Sequence, residues 1–167
     1  MIKVRNTFLL ASLLFISACG YHLRGSIDLP EGLKSIFLKG ATSQLHKTLK
    51  QTLRASDGQL VDDIQQAGIV VDVVYERMDR RVLSLSSTGR ANEYELTYVL
   101  YFMLLDADGG SLSEKQKVEI RRDYFNDQEE ILGKNNEELI IREEMYRQAV
   151  QSMIRRSRIA LEKYEKQ

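Results

Sequence analysis

Alternating apolar and polar positions predict four β-strands in this chain. The clearest run, Glu93–Leu105, carries an apolar or aromatic residue at every second position. Side chains with that two-residue period share one face of a strand. A compact apolar run at Ser35–Lys39, a β-branched run at Gly68–Met78 that can continue to Leu85, and Lys117–Phe125 predict three further strands.

The same alternation assigns side chains to the two faces of the predicted sheet. In the second strand it predicts that Val73 and Tyr75 point one way, with Val74 and Glu76 on the other face. In the third strand the predicted core face consists of Tyr94, Leu96, Tyr98, Leu100, Phe102 and Leu104.

Two amphipathic helices are predicted beside this sheet. Thr42 or the serine after it can cap a helix whose leucines recur every fourth residue from Leu45 to Leu53. A longer helix is predicted from about Asn136 to Tyr164, with Asn135 as its N-cap and Glu138 as the reciprocal acid of that cap. Its predicted apolar stripe consists of Leu139, Tyr146, Ala149, Val150, Met153, Ala160, Leu161 and Tyr164. The element order predicts an α+β fold with two helices on one face of a mostly antiparallel four-stranded sheet.

The first residues follow a different pattern. Lys3 and Arg5 precede the apolar run Phe8–Ile16, which is shorter than the roughly 20 residues that span a membrane. Two small residues and Cys19 come next, so the segment matches a bacterial lipobox. We expect residues 1–18 to be a cleaved signal peptide and residues 19–167 to form one domain, joined by a short lead to acyl groups on Cys19.

An ordinary signal peptide that happens to precede a cysteine is the alternative. It leaves Cys19 unexplained, because this cysteine is the only one in the chain and cannot form an internal disulfide. Gly20 follows it, where aspartate would be the usual inner-membrane retention signal. The sequence therefore predicts a protein anchored by lipid to the periplasmic side of the outer membrane.

Composition and motifs favour binding over catalysis. Lys plus Arg equals Asp plus Glu at 24 each, and no basic arm indicates a nucleic-acid partner. His22 and His46 lack a second ligand at metal-binding spacing, and Cys19 is expected to be acylated. We therefore expect no catalytic residue, no metal and no cofactor.

A group of basic residues is the first candidate binding feature. Arg77, Arg80 and Arg81 precede the Ser/Thr-rich turn, Arg90 follows it, and Lys134 lies near the start of the last helix. Arginine makes bidentate contacts with phosphate, so these residues are candidates for an anionic lipid headgroup. Alternatively, they form a solvated strand edge whose charges prevent edge-to-edge pairing.

The second candidate is the other face of the Glu93–Leu105 strand. Val99, Tyr101 and Met103 make this face largely apolar, although both helices are expected on the opposite side. Apolar surface that a monomer cannot bury indicates a partner. The alternative is that sheet twist lets flanking loops cover these side chains.

Five stretches, in this order and spacing, resemble the LptE family of lipopolysaccharide-assembly lipoproteins. The resemblance covers nearly all of the chain after the predicted cleavage site. The stretches are Cys19–Arg24, Glu93–Glu95, Arg122–Asn126, Lys134–Glu137 and Glu144–Ala149.

The resemblance implies a non-enzymatic role and a fold of two helices on a small sheet. Members of the family plug the lumen of the outer-membrane β-barrel LptD, help to assemble it, and pass lipopolysaccharide to the outer leaflet. Lys134 matches one basic lipopolysaccharide-contacting position of the family. Ser87 stands where the family has an arginine before the hairpin glycine, and Arg90 lies beyond Gly89. The alternatives are a scaffold lipoprotein that binds a periplasmic or barrel protein without lipid, and a cell-envelope hydrolase.

Overall fold

The computed structural model describes residues 29–126, 131–164 and 166, with the backbone alone for 131–136. The helices are α1 (Glu31–Lys34), α2 (Ser43–Arg54) and α3 (Ile131–Tyr164). The strands are β1 (Ser35–Lys39), β2 (Gln59–Val61), β3 (Ile69–Leu85), β4 (Ala91–Leu105) and β5 (Gln116–Phe125), and a 3-10 turn covers Ile64–Gln66. The strands form one sheet in the order β2-β1-β3-β4-β5.

The sheet is mixed, so the predicted four-stranded, mostly antiparallel sheet is correct in class and wrong in detail. β3, β4 and β5 are antiparallel neighbours, whereas β1 runs parallel to both β2 and β3. The chain crosses over through α2 between β1 and β2, which returns it to the same end of the sheet and gives parallel pairing. β2 escaped prediction because its three residues are too few to show alternation.

Both long helices pack on one face of the sheet, as predicted. Leu45, Leu49 and Leu53 of α2 are fully buried, and the Thr42 hydroxyl caps this helix by accepting from the Leu45 amide at 3.3 Å. The predicted core face of β4 is also confirmed, since Tyr94 is half-buried and the other five residues of this face are fully buried: Leu96, Tyr98, Leu100, Phe102 and Leu104. Sequence periodicity therefore identified the centre of the core.

The long helix ends at Tyr164, as predicted, but it begins earlier than predicted and its buried stripe differs. It begins at Ile131, so Asn135 lies inside the helix and does not cap it. Leu139 is 58% exposed, because the neighbouring turn contacts the sheet through the polar side chain of Glu138. Tyr164 is also exposed. The buried stripe includes three residues that the prediction omitted: Met145, Ile154 and Ser157.

A β-bulge in β3 changes which face its residues occupy. Val73 pairs with Phe102 and Tyr75 with Tyr101, so Val74 is an extra residue between them. A bulge reverses the faces of the residues that follow it, here up to the next register shift after Val82. Tyr75 therefore lies on the face opposite the helices, contrary to the prediction, and Glu76 lies on the helix side.

Among the residues described, no helix has the length and apolar character that a membrane crossing would require.

Candidate binding surfaces

The sheet face opposite the helices carries a small aromatic patch, defined here as Val74, Tyr75, Val99 and Tyr101. The bulge exposes Val74 (53%) and Tyr75 (44%). The rings of Tyr75 and Tyr101 meet edge to face with centroids 5.9 Å apart. Edge-to-face packing is a favourable arrangement of aromatic rings and holds both rings in place.

Two lysines border the aromatic patch. The Nζ atoms of Lys115 and Lys117 lie 5.5 Å and 5.8 Å from the centroid of the Tyr101 ring, within cation–π range. A hydrogen bond to Glu119 is the main cause of the raised pKa of Lys117. Together with the patch these lysines line a shallow cavity of about 490 Å³, which suits an apolar group that carries polar or acidic neighbours.

The sequence pattern identified two of the four residues of the aromatic patch. Val99 and Tyr101 were predicted to bind a partner, and the structure brings them together with Tyr75 and Val74. Those two residues were missed because no residue type marks the bulge in β3. Met103, the third predicted partner residue, lies outside the patch and lines a different cleft with Leu112.

The three strand arginines do not form a single cluster. Arg77 and Arg81 pair opposite Val99 and Glu95 on the outer face, whereas Arg80 pairs opposite Leu96 on the helix side. Successive side chains of a strand point to opposite faces, so residue parity could have separated Arg80 from Arg81 beforehand.

Each of these arginines also has a protein partner. Nε of Arg77 lies 2.7 Å from the Asp79 carboxylate, and Nε of Arg81 lies 2.6 Å from that of Glu95. These hydrogen bonds raise the pKa of both guanidinium groups. The structure therefore does not bring the three arginines together around one headgroup.

Glu138 of α3 receives the third arginine and forms a polar junction between helix and sheet. Its carboxylate accepts from Arg80 at 3.0 Å, from Arg142 at 2.7 Å, and from the Tyr124 hydroxyl. The Arg80 guanidinium also lies 4.6 Å from the centroid of the Tyr94 ring. Sequence spacing predicts only a capping role for Glu138, because Arg80 and Tyr124 are distant along the chain.

The pKa values at this junction follow from these contacts. Burial alone would raise the pKa of Glu138, but hydrogen bonds from Tyr124, Arg142 and Arg80 outweigh it and lower the pKa. Burial and the bond to Glu138 raise the pKa of Tyr124 to about 12. The carboxylate is therefore held ionised, and its role is to fix α3 against the β3–β4 hairpin.

Glu76 forms a second polar junction on the helix side. Its carboxylate accepts from the amide and hydroxyl of Thr42, at 2.8 Å and 2.7 Å, and from the Tyr98 hydroxyl at 3.0 Å. A carboxylate at this position also interacts favourably with the N-terminus of α2. Burial and the Glu76 carboxylate raise the pKa of Tyr98, which keeps the phenol protonated as a donor.

Arg90, another predicted lipid-binding residue, lies at the turn between β3 and β4. A tight turn at Ser86–Arg90 closes the β3–β4 hairpin, with the Ser86 amide donating to the Arg90 carbonyl at 2.7 Å. The Asn126 amide donates to the Asn92 carbonyl beside this turn. The side chain of Lys134 and the whole of Cys19 lie outside the described residues, so their roles stay predictions.

No group of three His, Cys, Asp or Glu side chains that could hold a metal ion occurs in the part of the chain that the structure describes.

Comparison with known proteins points to one family. The family model LptE: Lipopolysaccharide-assembly matches residues 33–157. The LPS-assembly lipoprotein LptE of Pectobacterium atrosepticum is 28% identical over 148 residues, covering 87% of this chain and 79% of that protein.

Two solved lipoprotein structures are also similar to this chain. Lipoprotein B from Nitrosomonas europaea is 27% identical with a TM-score of 0.66, covering 81% of this chain and 88% of that one. The rare lipoprotein B from Shewanella oneidensis is 27% identical with a TM-score of 0.63, covering 80% of this chain and 99% of that one.

Proposed function

Because the chain belongs to the LptE family, we propose that it is an outer-membrane lipoprotein that plugs and helps to assemble the LptD β-barrel. The pair would form the translocon that inserts lipopolysaccharide into the outer leaflet. The observation that carries this proposal is the family match, which spans residues 33–157 and so includes the whole sheet, all of α2 and most of α3. The chain acts by binding and packing, without turnover.

The aromatic patch supports the barrel contact. The interior of a large outer-membrane barrel is polar, so a plug needs side chains that combine apolar area with polar tips. Tyr75 and Tyr101 have this character, and Lys115 and Lys117 add cations beside them. Tyrosine is enriched among the residues that dominate binding energy at protein interfaces. We propose that this sheet face contacts the barrel wall.

Co-purification from membranes tests the proposal. A large barrel protein retained in stoichiometric amount is expected when the tagged chain is purified in detergent. A periplasmic protein retained in its place would favour the scaffold alternative. Turnover of an envelope substrate would favour the hydrolase.

We also propose that Arg90 and Lys134 contact lipopolysaccharide. Arg90 lies at the hairpin turn, and the backbone of Lys134 is one helical turn before Glu138, which binds Arg80 of the same hairpin. Arg90→Asp with Lys134→Asp is therefore expected to weaken lipopolysaccharide binding. Lys47→Asp with Arg54→Asp, on the exposed side of α2, makes the same change in net charge and should leave binding intact. Equal loss in both double variants would contradict the site.

The lipid anchor is proposed as a second attachment. Acyl groups on Cys19 would hold the chain to the outer membrane and raise its local concentration near the barrel. Cys19→Ala, exported with an ordinary signal peptide, should still bind the barrel in vitro. Failure to bind would show that the anchor contributes to the complex itself.

A further inference from the structure

A cleft of about 570 Å³ lies between the last turns of α3 and the loop segment 111–116 that leads into β5. This volume is within the range of small-molecule sites. The cleft is separate from the aromatic patch and from the hairpin turn. Its α3 lining residues recur at helical spacing: Arg156, Ile159, Ala160, Lys163 and Tyr164.

Within the described residues, two cations of this cleft lack a counter-ion. Arg156 and Lys163 form no ion pair with any residue that the structure describes, although other basic residues of the same turns are engaged. Arg158 pairs with Glu162 at 3.9 Å, and Arg155 donates to the Ser152 hydroxyl at 3.5 Å. Among the described lining residues, Glu114 supplies the single carboxylate against these two cations, so their charges sum to +1.

Exposed apolar side chains lie directly beside these cations. Ile159 is 57% exposed and Tyr164 is 51% exposed, and Leu112 lines the opposite wall. An apolar surface bordered by cations matches a ligand with an anionic headgroup and an apolar chain. A free anion would make no use of the apolar wall.

The position of the cleft favours one source for such a ligand. Gly32 of α1 packs against α3, where a Cβ atom would lie 3.6 Å from Cδ1 of Leu161. The chain therefore enters the fold beside the same turns of α3 that line the cleft. Residues 19–28 can span at most about 35 Å, so an anchor on Cys19 would keep this end of the molecule close to the leaflet surface.

We propose that this cleft binds the headgroup of an anionic phospholipid in the leaflet that holds the anchor. Arg156 and Lys163 would contact the phosphate, while Ile159 and Tyr164 would contact the upper part of the acyl chains. The choice of this leaflet rests on the proposed lipid anchor at Cys19. The binding itself requires no acylation of Cys19 and no barrel.

Vesicle sedimentation tests this proposal with the processed chain, residues 19–167, carrying Cys19→Ala. We expect binding to phosphatidylcholine vesicles that contain phosphatidylglycerol and little binding to pure phosphatidylcholine. Arg156→Gln with Lys163→Gln should weaken binding at least about fivefold, since a cation near an anionic membrane contributes about that factor. Ile159→Ser should weaken vesicle binding further, and free inorganic phosphate should not compete.

The matched control is Arg155→Gln with Arg158→Gln, which removes the same charge from the same exposed turns. It should retain most of the binding. Equal loss in both double variants, or equal binding to neutral vesicles, would overturn the proposal. So would loss of lipopolysaccharide binding with unchanged vesicle binding, because the cleft would then serve the cargo. Barrel binding by the Arg156/Lys163 variant is measured in a separate co-purification. The barrel proposal and the phospholipid proposal can therefore fail independently.

Discussion

The two faces of β4 differ in burial and in role. On the helix side, every second residue from Leu96 to Leu104 is fully buried. On the other side, Val99 and Tyr101 are half-buried and lie opposite residues of β3 and β5. The first face stabilises the fold, whereas the second is available to a partner. Stability and binding should therefore respond to different substitutions in one strand.

Core truncation should give the largest change in stability. Leu100→Ala removes a fully buried side chain and should lower the free energy of unfolding by about 2–5 kcal/mol. Val99→Ala, one residue away on the other face, should cost less than about 1 kcal/mol. Urea unfolding of the two variants measures the difference, and equal losses would mean that the outer face is also core.

The junction at Glu138 should give an intermediate effect. Glu138→Gln leaves Arg80 and Arg142 without their shared carboxylate, and its side chain is only 18% exposed. The expected loss in unfolding free energy is about 1–3 kcal/mol. Glu144→Gln, which breaks an exposed pair with Arg147, is the control and should cause a smaller loss.

The same junction predicts a pH dependence. The pKa of Glu138 is lowered in the folded chain, so its contribution to stability is present above its unfolded pKa of about 4.3. That contribution is lost as the pH falls through the lower folded value. In Glu138→Gln, the acid-induced fall in stability should be smaller than in the parent chain. An unchanged acid profile would contradict the assignment.

Contacts at the border of the aromatic patch should affect stability least. Lys115→Ala removes one cation–π contact with Tyr101, which at an exposed site is worth about 0.5–1 kcal/mol at most. Thermal unfolding should therefore be nearly unchanged. A large drop in stability would show that Lys115 supports the fold rather than a binding surface.

The parts of the fold that were predicted correctly are those with a regular apolar period, either alternating or helical. The core face of β4 and the leucine stripe of α2 follow from periodicity alone, because each is long and uninterrupted. The faces beyond Val74 could not be predicted, since a single inserted residue shifts the pairing without changing composition. Tyr75 was consequently predicted to share a face with Val73, and half of the aromatic patch was missed.

Long-range pairing explains the other errors. β2 is short and is held in the sheet by its parallel pairing with β1, which no local pattern indicates. Glu138 was read as a capping residue because Arg80 is 58 positions away. The arginines at 80 and 81 were grouped by proximity in sequence, although adjacent strand residues face opposite ways.

Retention of the barrel by a variant of the aromatic patch tests the central claim most directly. Tyr75→Ser with Tyr101→Ser should stay folded and lose at least about tenfold in barrel binding, as expected for aromatic residues at an interface centre. Leu139→Ser with Ile140→Ser removes exposed apolar area from α3 and should retain the barrel. Full retention by the tyrosine variant, or equal loss in both, would contradict the assignment of the outer sheet face to the barrel.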